Sequence, residues 1–367
     1  MVLRHIALTN YNNYSTESVT FNSNVNALNG KNGMGKTNML DAIYYLCIGK
    51  SYFSTGDKYV VKKGEDFFRL EGTFGSKEIR QIVEIKVQPG DKKEIILSGK
   101  KREKLSDHIG AFPCVIIAPV DIELMLAGSE ERRKFLNNTV MQFDRKYVDN
   151  ILIYNRQLKQ RNALLKTFAD KHYYDQGLVD AISSQMYAPA SYVHKVRAEL
   201  IEAIKPVFKK YYALISDESE ACDLNYKSDL NKKSLAECFA ESKEKDKVLT
   251  RTCAGVHKDD LILSINGEPL KNFASQGQLK SIIIALKLAQ YEMLSTHNAS
   301  LPILLLDDIF DKLDRSRVEH LLKIISGKEF GQVFISDTNS NRVPELLKKI
   351  SVEYSAYHVE NGKIEKE

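Results

Sequence analysis

Eight consecutive residues, Gly30-Lys31-Asn32-Gly33-Met34-Gly35-Lys36-Thr37, satisfy the spacing G-x-x-x-x-G-K-[ST] in full. Glycines at these positions let backbone N–H groups turn inward around an anion with no Cβ in the way. A helix that starts beside the lysine aims its unpaired N–H donors and its positive end at the same point. Lys36 then reaches the outer phosphates of a nucleotide, and the Thr37 hydroxyl is a hard oxygen ligand for Mg2+. A glycine-rich turn that matches by accident is the alternative, and the flanking elements decide between them.

A second chemistry-bearing run lies far downstream, where Ile303-Leu304-Leu305-Leu306 ends in Asp307-Asp308. An apolar strand that delivers two carboxylates at its end can hold Mg2+ through Asp307 and polarise an attacking water through Asp308. Taken alone, the run fits a core strand and a surface turn equally well. Upstream of it, Ser275-Gln276-Gly277-Gln278 opens an apolar-periodic stretch. Serine and glycine at a helix N-terminus make another anion-cradling geometry; an ordinary Ser275 cap is the plainer explanation. His257 beside Asp259-Asp260 reads as a structural hydrogen-bond cluster rather than a metal site.

These runs need elements to hold them. Residues 2–9, 18–21 and 24–29 read as strands, and Met39, Leu40, Ile43, Leu46 and Cys47 have helical spacing over 38–48. The loop at Gly30 therefore sits between a strand and a helix, the setting a phosphate loop requires. Alternation over 67–97, with turns at Gly75-Ser76 and Pro89-Gly90-Asp91, predicts antiparallel strands, and 113–118 a short buried strand. From about 121 to 248 the period becomes helical, with a helix capped by Ser129 and long helices over 147–167 and 182–215. Pro189 and Pro206 predict breaks or kinks in the last. Residues 216–229 and 242–247 read as exposed connections. The β/α pattern then returns: strand 261–265 with an Asn266-Gly267 turn, helix 278–294, strand 302–306, helix 315–325, strand 332–335 and an edge strand over 352–358. The fold class is α/β, divided into residues 1–120 with 249–367, and a helical insertion over 121–248.

Composition narrows the class further. Hydrophobic residues make up 43% of the 367, enough for a full core. Lys and Arg outnumber Asp and Glu by 53 to 48, which permits a polyanionic partner without requiring one. The five cysteines form no Cys-x-x-Cys pair, so buried free thiols in a reducing compartment are expected. The N-terminus lacks a secretory pattern, and no stretch reaches the ~18 apolar residues of a membrane helix. The reading is a cytoplasmic protein without a membrane partner.

The order of the motifs resembles the head of an ABC-type ATPase of the SMC/RecF class, and within it the RecF family. Such a head combines a mixed sheet flanked by helices with an antiparallel β part. LTNYNNY near the N-terminus, GKNGMGKTN, GSEERRKFLN, AGVHKDDL and FASQGQLKSIIIALKLAQ each resemble a family segment, and these islands extend to Asn339. An insertion of this length is too short for the coiled coils of SMC proteins. The resemblance implies ATP and Mg2+ as cofactors, with Gly30 through Thr37 around the phosphates. It implies that Ser275, Gln276 and Gly277 meet the γ-phosphate of ATP held by a second subunit, with Gln278 also at the nucleotide, so that ATP drives homodimerisation. Asp314 would face that subunit, and Asp337 or Thr338 would occupy the switch position. No histidine stands there, which predicts slow, at most weakly DNA-stimulated hydrolysis by Asp308 and Lys36. Val256, Lys258 and Val120 depart from the family pattern, and no glutamine is assignable to a Q-loop.

The resemblance further implies binding to DNA at gaps and single-strand to double-strand junctions, and recombinase loading with RecO- and RecR-type partners in repair and replication. The residues give their own support. Arg145, Lys146, Arg156, Lys159, Arg161, Lys166 and Lys171 face only Asp144, Asp149 and Asp170 in one helical stretch, near Tyr147 and Tyr154. With Arg132 and Arg133 they could meet phosphates; a solvated helix face is the commoner origin of such a run. A transporter-type ABC subunit would call for a Q-loop glutamine, a switch histidine and a Leu-Ser-Gly-Gly-Gln signature, none of which is present. A small-molecule kinase would leave Ser275 through Gln278 unexplained.

Overall fold

The computed structural model describes residues 1–75, 80–216, 221–270, 274–310, 315–339 and 341–367. The readings at Ser76, at Phe273 and at Asp311-Lys312-Leu313-Asp314 lie outside these residues. The chain forms two compact units: Met1–Ile122, Lys210–Ser219 and Ser275–Glu367 in the first, Glu123–Lys209 and Glu220–Ala274 in the second.

The first unit begins with the antiparallel pair β1 (Leu3–Tyr11) and β2 (Tyr14–Thr20), then β3 (Val25–Asn29), buried along its whole length. Helix α1 (Lys36–Ile48) follows, then β4 (Phe68–Gly75), β5 (Arg80–Val87), β6 (Glu94–Leu97), β7 (Lys100–Lys101) and the buried β8 (Cys114–Ile117). Alternation of buried and open positions in β1 and β4 gives the one-faced antiparallel sheet β2-β1-β4-β5-β6-β7.

The second unit contains α2 (Glu123–Leu126), α3 (Ser129–Val140), α4 (Arg145–Asp170) and most of α5 (Gln176–Ser216). Gly128, not Ser129, occupies the cap of α3; the Ser129 hydroxyl instead accepts from Arg133 Nη1 at 2.6 Å. Asp144 caps α4 by accepting from the Tyr147 N–H, which starts the helix two residues before the expected position. Pro189 and Pro206 do not break α5, a single helix of 41 residues. Each proline removes a hydrogen bond to the carbonyl four residues earlier, and those carbonyls belong to the exposed Gln185 and Glu202, where water can take them. Strand β9 (Cys222–Lys227) lies in a stretch expected to be a connection; α6 (Leu235–Leu249), β10 (Asp260–Ile265) and β11 (Glu268–Pro269) follow. Asn266 and Gly267 both have positive φ, 49° and 84°, as a two-residue hairpin needs. Because β10 pairs with β9 along its length, residues 249–274 stay with the second unit, whereas the sequence division places them in the head.

Back in the first unit come α7 (Gln276–His297), β12 (Ile303–Asp307), α8 (Arg315–Ile325), β13 (Val333–Asp337), α9 (Arg342–Lys349), β14 (Tyr354–Glu360) and β15 (Lys363–Lys366). The second sheet runs β15-β14-β3-β13-β12-β8, parallel except for β15. The expected edge strand near the C-terminus is thus interior: a turn at Asn361 and Gly362, both with positive φ, folds β15 back to cover it. Helix α1 is buried on nearly every side, and its Met39, Ile43 and Leu46 join one core with Ile6 and Leu70 of one sheet and Leu28 and Leu305 of the other. The register Asp307 with Ser336, and Asp337 with Asn29, brings the ends of β12, β13 and β3 to one level. Open parallel sheets bind ligands at that end.

Candidate functional site

The phosphate-loop segment leaves β3 at this level. Gly30, at φ 151°, could carry no side chain: a Cβ there would lie 2.3 Å from the Val359 carbonyl oxygen. A Cβ on Gly35 would come within 2.9 Å of Asn13 Nδ2 and of the Tyr14 hydroxyl. Those two residues hold the loop from outside, since Asn13 Nδ2 donates to Met34 O (3.0 Å) and Tyr14 Oη to Gly35 O (3.0 Å). Asn38 Nδ2 in turn donates to Asn13 Oδ1, and the Gly362 N–H donates to Met34 O. Helix α1 starts at Lys36 with no side-chain cap, so its first-turn N–H groups are available to an anion.

Lys36 Nζ folds back onto the loop, donating to Gly30 O (2.5 Å) and Lys31 O (2.8 Å). Thr37 Oγ1 donates to Asp307 Oδ1 at 2.9 Å and lies 3.0 Å from Oδ2. The Ser336 hydroxyl donates to Asp307 Oδ1 (2.7 Å) and accepts from the Asp308 N–H (2.9 Å), so one side chain on β13 ties both acids. Asp308 itself has φ 44°, a left-handed conformation that turns the chain sharply off the strand end. Burial pushes the Asp307 carboxyl above its ordinary range, against the hydrogen bonds from Ser336 and Thr37. Burial pushes the Lys36 ammonium down, against the pull of Asp308, Asp307 and Asp337.

Thr37 and Asp307 present adjacent hard oxygens of the kind Mg2+ takes when nucleotide phosphates complete its shell. Among the described residues no group of three or more His, Cys, Asp or Glu side chains is placed to hold a metal by itself. Asp337, at the expected switch position, is buried and held by Arg342, whose Nη2 lies 2.5 Å and Nε 2.8 Å away. Thr338 is exposed.

The segment Ser275 through Gln278 begins α7. Ser275 is its N-cap: Ser275 Oγ accepts from the Gln278 N–H, and Gln278 Oε1 accepts from the Ser275 N–H at 2.6 Å. Ser275 and Gln276 are exposed and Gly277 is half-buried, with the Arg317 guanidinium near it. The structure thus builds the plain cap, and leaves Ser275 and Gln276 accessible.

The basic residues separate into two kinds. Arg161 is 3% exposed and donates to Asp246, Thr252 and Ser183, so it is a buried structural cation and not a polyanion contact. Arg132 pairs with Asp260 at 2.6 Å, and Arg133 donates to Ser129 and the Asp259 carbonyl. Arg145, Arg156 and Lys159 do lie on an exposed face of α4. His257 is structural, as expected: its ring nitrogens meet the Tyr154 hydroxyl (2.7 Å) and Thr252 O (3.0 Å), and burial lowers its pKa to about 4. All five cysteines are free, four of them buried.

Sequence reasoning missed Asn13, Tyr14, Ser336 and Arg342. Ser336 lies in the strand that ends at Asp337 and Arg342 begins the helix after it, and the pairing of that strand with β12 leaves no mark in the sequence. Asn13 and Tyr14 close the LTNYNNY segment, which was the one signal for them.

The fold and site define an ABC-type ATPase head. Residues 2–365 match the RecF/RecN/SMC N-terminal domain. Over 359 residues the chain is 40% identical to the DNA replication and repair protein RecF of Flavobacterium johnsoniae, covering 98% of this chain and all of that one. It is 39% identical to the RecF of Cytophaga hutchinsonii, over all of this chain and 97% of that one. A solved structure of the recombination mediator protein RecF with ATP, from the RecFOR pathway, superposes with a TM-score of 0.89 at 28% identity, covering 100% of this chain and 97% of that one. An SMC head bound to the winged-helix domain of ScpA shares the fold, at a TM-score of 0.59 and 14% identity. The chain belongs to the RecF family of DNA replication and repair proteins. Nothing among these relatives supports a transporter subunit.

Proposed function

We propose that the protein binds ATP and Mg2+ at the loop Gly30 through Thr37, and that bound ATP joins two copies of the chain on DNA during repair and replication. The observation that carries this reading is the Thr37–Asp307 contact at 2.9 Å, beside a Lys36 ammonium that rests on loop carbonyls. Nucleotide phosphates would draw Lys36 off those carbonyls. Thr37 and Asp307 would hold Mg2+, which supplies charge neutralisation to the phosphate oxygens. Asp308 accepts a proton from, or orients, the attacking water. Ser275 and Gln276 are exposed, Gly277 is half-buried, and the three belong to no finished site within one chain, which supports a role toward the nucleotide of a second copy. Hydrolysis is slow, because no histidine stands at the switch position and Asp337 is engaged by Arg342.

The solved relative's own name carries ATP and the RecFOR pathway, and this supports ATP as the nucleotide and RecO- and RecR-type proteins as partners. DNA at gaps and junctions is the substrate in this reading, met through the exposed Arg145, Arg156 and Lys159. Four buried free thiols fit a cytoplasmic setting, and among the described residues no helix is long and apolar enough to cross a membrane.

Sedimentation with and without ATP and gapped duplex DNA tests the reading. ATP should convert monomer to dimer, and Ser275→Arg should bind ATP within about twofold of the parent while remaining monomeric. Unchanged dimerisation in Ser275→Arg would remove the trans contact from the mechanism.

A further inference from the structure

A buried polar junction links the phosphate-loop helix to helix α7, and nothing above gives it a role. On α1, Asp41 lies one turn beyond Thr37 and is buried. It accepts from Tyr11 Oη (2.6 Å), Ser51 Oγ (2.8 Å) and the Tyr52 backbone N–H (2.7 Å). The loop after α1 is thereby pinned, and Tyr52 is aimed by it; the ring also packs edge-on against Tyr44 of α1. The Tyr52 hydroxyl donates to Asp121, just beyond β8, and accepts from Lys287 Nζ of α7 at 2.8 Å. Lys287 and Asp121 complete the triangle as an ion pair at 2.9 Å, with side chains 5% and 2% exposed. The other Asp121 oxygen accepts from the Ala118 N–H.

Two features make this junction more than packing. A buried ion pair adds little net stability over apolar residues of the same volume, but it is directional and holds one geometry. Toward the N-terminus of the same helix, Ile283 and Ile284 border a cavity of about 320 Å3, whose other walls include Pro119, Ile122 and Ile309. Asp308 lines it as well. Helix α7 is thus tied at Lys287 and, although its residues from Leu279 to Leu286 are largely buried, borders a cavity at Ile283 and Ile284. A change at α1 can reach Lys287 through Tyr52, and the cavity beside Ile283 and Ile284 lies between Lys287 and Ser275 on the same helix.

We propose that Tyr52, Asp121 and Lys287 are positioning residues: they transmit occupancy of the phosphate loop to the orientation of Ser275 through Gln278. The proposal rests on the nucleotide reading above, and deepens it by naming the link within one chain.

Hydrogen exchange of residues 275–283, with and without saturating ATP and Mg2+, at a protein concentration where sedimentation shows only monomer, reads the link in a single subunit. It needs no dimer, so it stands apart from a failure of the two-copy reading, which sedimentation of the parent reports. Tyr52→Phe removes only the hydroxyl and keeps the ring against Tyr44. It should bind ATP within about twofold of the parent, yet lose at least two-thirds of the ATP-induced change in exchange at 275–283. Lys287→Met should lose it entirely; if that variant fails to fold with Asp121 left unpaired, Tyr52→Phe still decides. A full ATP-induced change in Tyr52→Phe overturns the proposal. So does a loss of ATP affinity that parallels a loss of melting temperature, because that is what a purely structural contact gives, and so does a parent in which ATP leaves 275–283 unchanged.

Discussion

Both units bury charged side chains, and the two sets stand in opposite condition. In the second unit Arg197 donates to Asp259 Oδ2, Val256 O and Asn137 Oδ1, and Arg161 to Asp246, Thr252 and Ser183. Burial alone would pull the Arg197 guanidinium down; Tyr147, Asp259 and Tyr226 around it outweigh that and raise it. The charged form is secure. Around the phosphate loop of the first unit burial wins: the Asp307 carboxyl is pushed up and the Lys36 ammonium down. Lys36 settles on neutral carbonyls and Asp307 on two hydroxyls. The phosphate-loop cluster is short of counter-charge at both its lysine and its acid; around Arg197 the guanidinium is fully supplied, although burial still pushes its partner Asp259 up. Counter-charge withheld from a buried site is how a protein keeps binding energy for a ligand, here an anion and a divalent cation together.

The sharpest way to break this contrast is to damage the complete cluster. Arg161→Met strands Asp246, itself 1% exposed. Loss of one partner of such a pair costs about 3–5 kcal/mol, visible as a fall in the urea midpoint, and Asp246→Leu added to it should recover much of the loss. A single-mutant loss under about 1 kcal/mol would mean that the second cluster is no more satisfied than the first. Lys36→Ala does the converse. ATP affinity, followed by calorimetry, should drop by at least about 100-fold, roughly 3 kcal/mol, while the nucleotide-free protein loses less than about 1 kcal/mol of stability. If stability falls as far as affinity, Lys36 is a structural cation like Arg161.

The pH dependence of the second unit sharpens the same point. His257 is neutral when folded, with its pKa lowered from 6.5 to about 4 by burial. Between those values the unfolded chain binds more protons than the folded one, so stability is full above about pH 7 and falls as the pH drops through 6.5 toward 4. The loss should reach about 2 kcal/mol or more, and His257→Gln should flatten it. An NMR titration that places His257 near 6.5 would remove this contribution.

What was legible in the sequence follows from the range of the interactions. The loop Gly30 through Thr37, the acids after β12 and the Ser275 cap are contiguous motifs, set by local backbone geometry and by a strand or helix period. Ser336 reaches Asp307 only because β13 lies beside β12, a pairing of segments far apart in the chain, whereas Arg342 holds Asp337 from the start of the next helix. Tyr52, Asp121 and Lys287 meet from three separate segments. Arg161 was misread for a different reason: its charge was counted and its phase was not. Tyr147, Ile151, Tyr154, Arg161, Leu165 and Phe168 recur at helical spacing, and the structure buries all six. The apolar stripe already contained the arginine. The strand β9 escaped because its residues are mostly polar, and its pairing with β10 made it a strand.

On α4 the smallest expected effect gives the cleanest discrimination. Arg156 and Lys159 fall between the stripe positions and are exposed, and no hydrogen bond or ion pair holds either of them among the described contacts. Arg156→Ala should leave the urea midpoint within about 0.5 kcal/mol of the parent. On gapped DNA it should weaken binding by about the same factor whatever the sequence, and lower the slope of log affinity against log salt by about 1. Arg161→Met at a temperature where it remains folded should leave that slope alone. A slope that responds to Arg161 and not to Arg156 would reverse the assignment of the two arginines, and with it the claim that exposure on this helix, rather than its total charge, marks the face that meets phosphate.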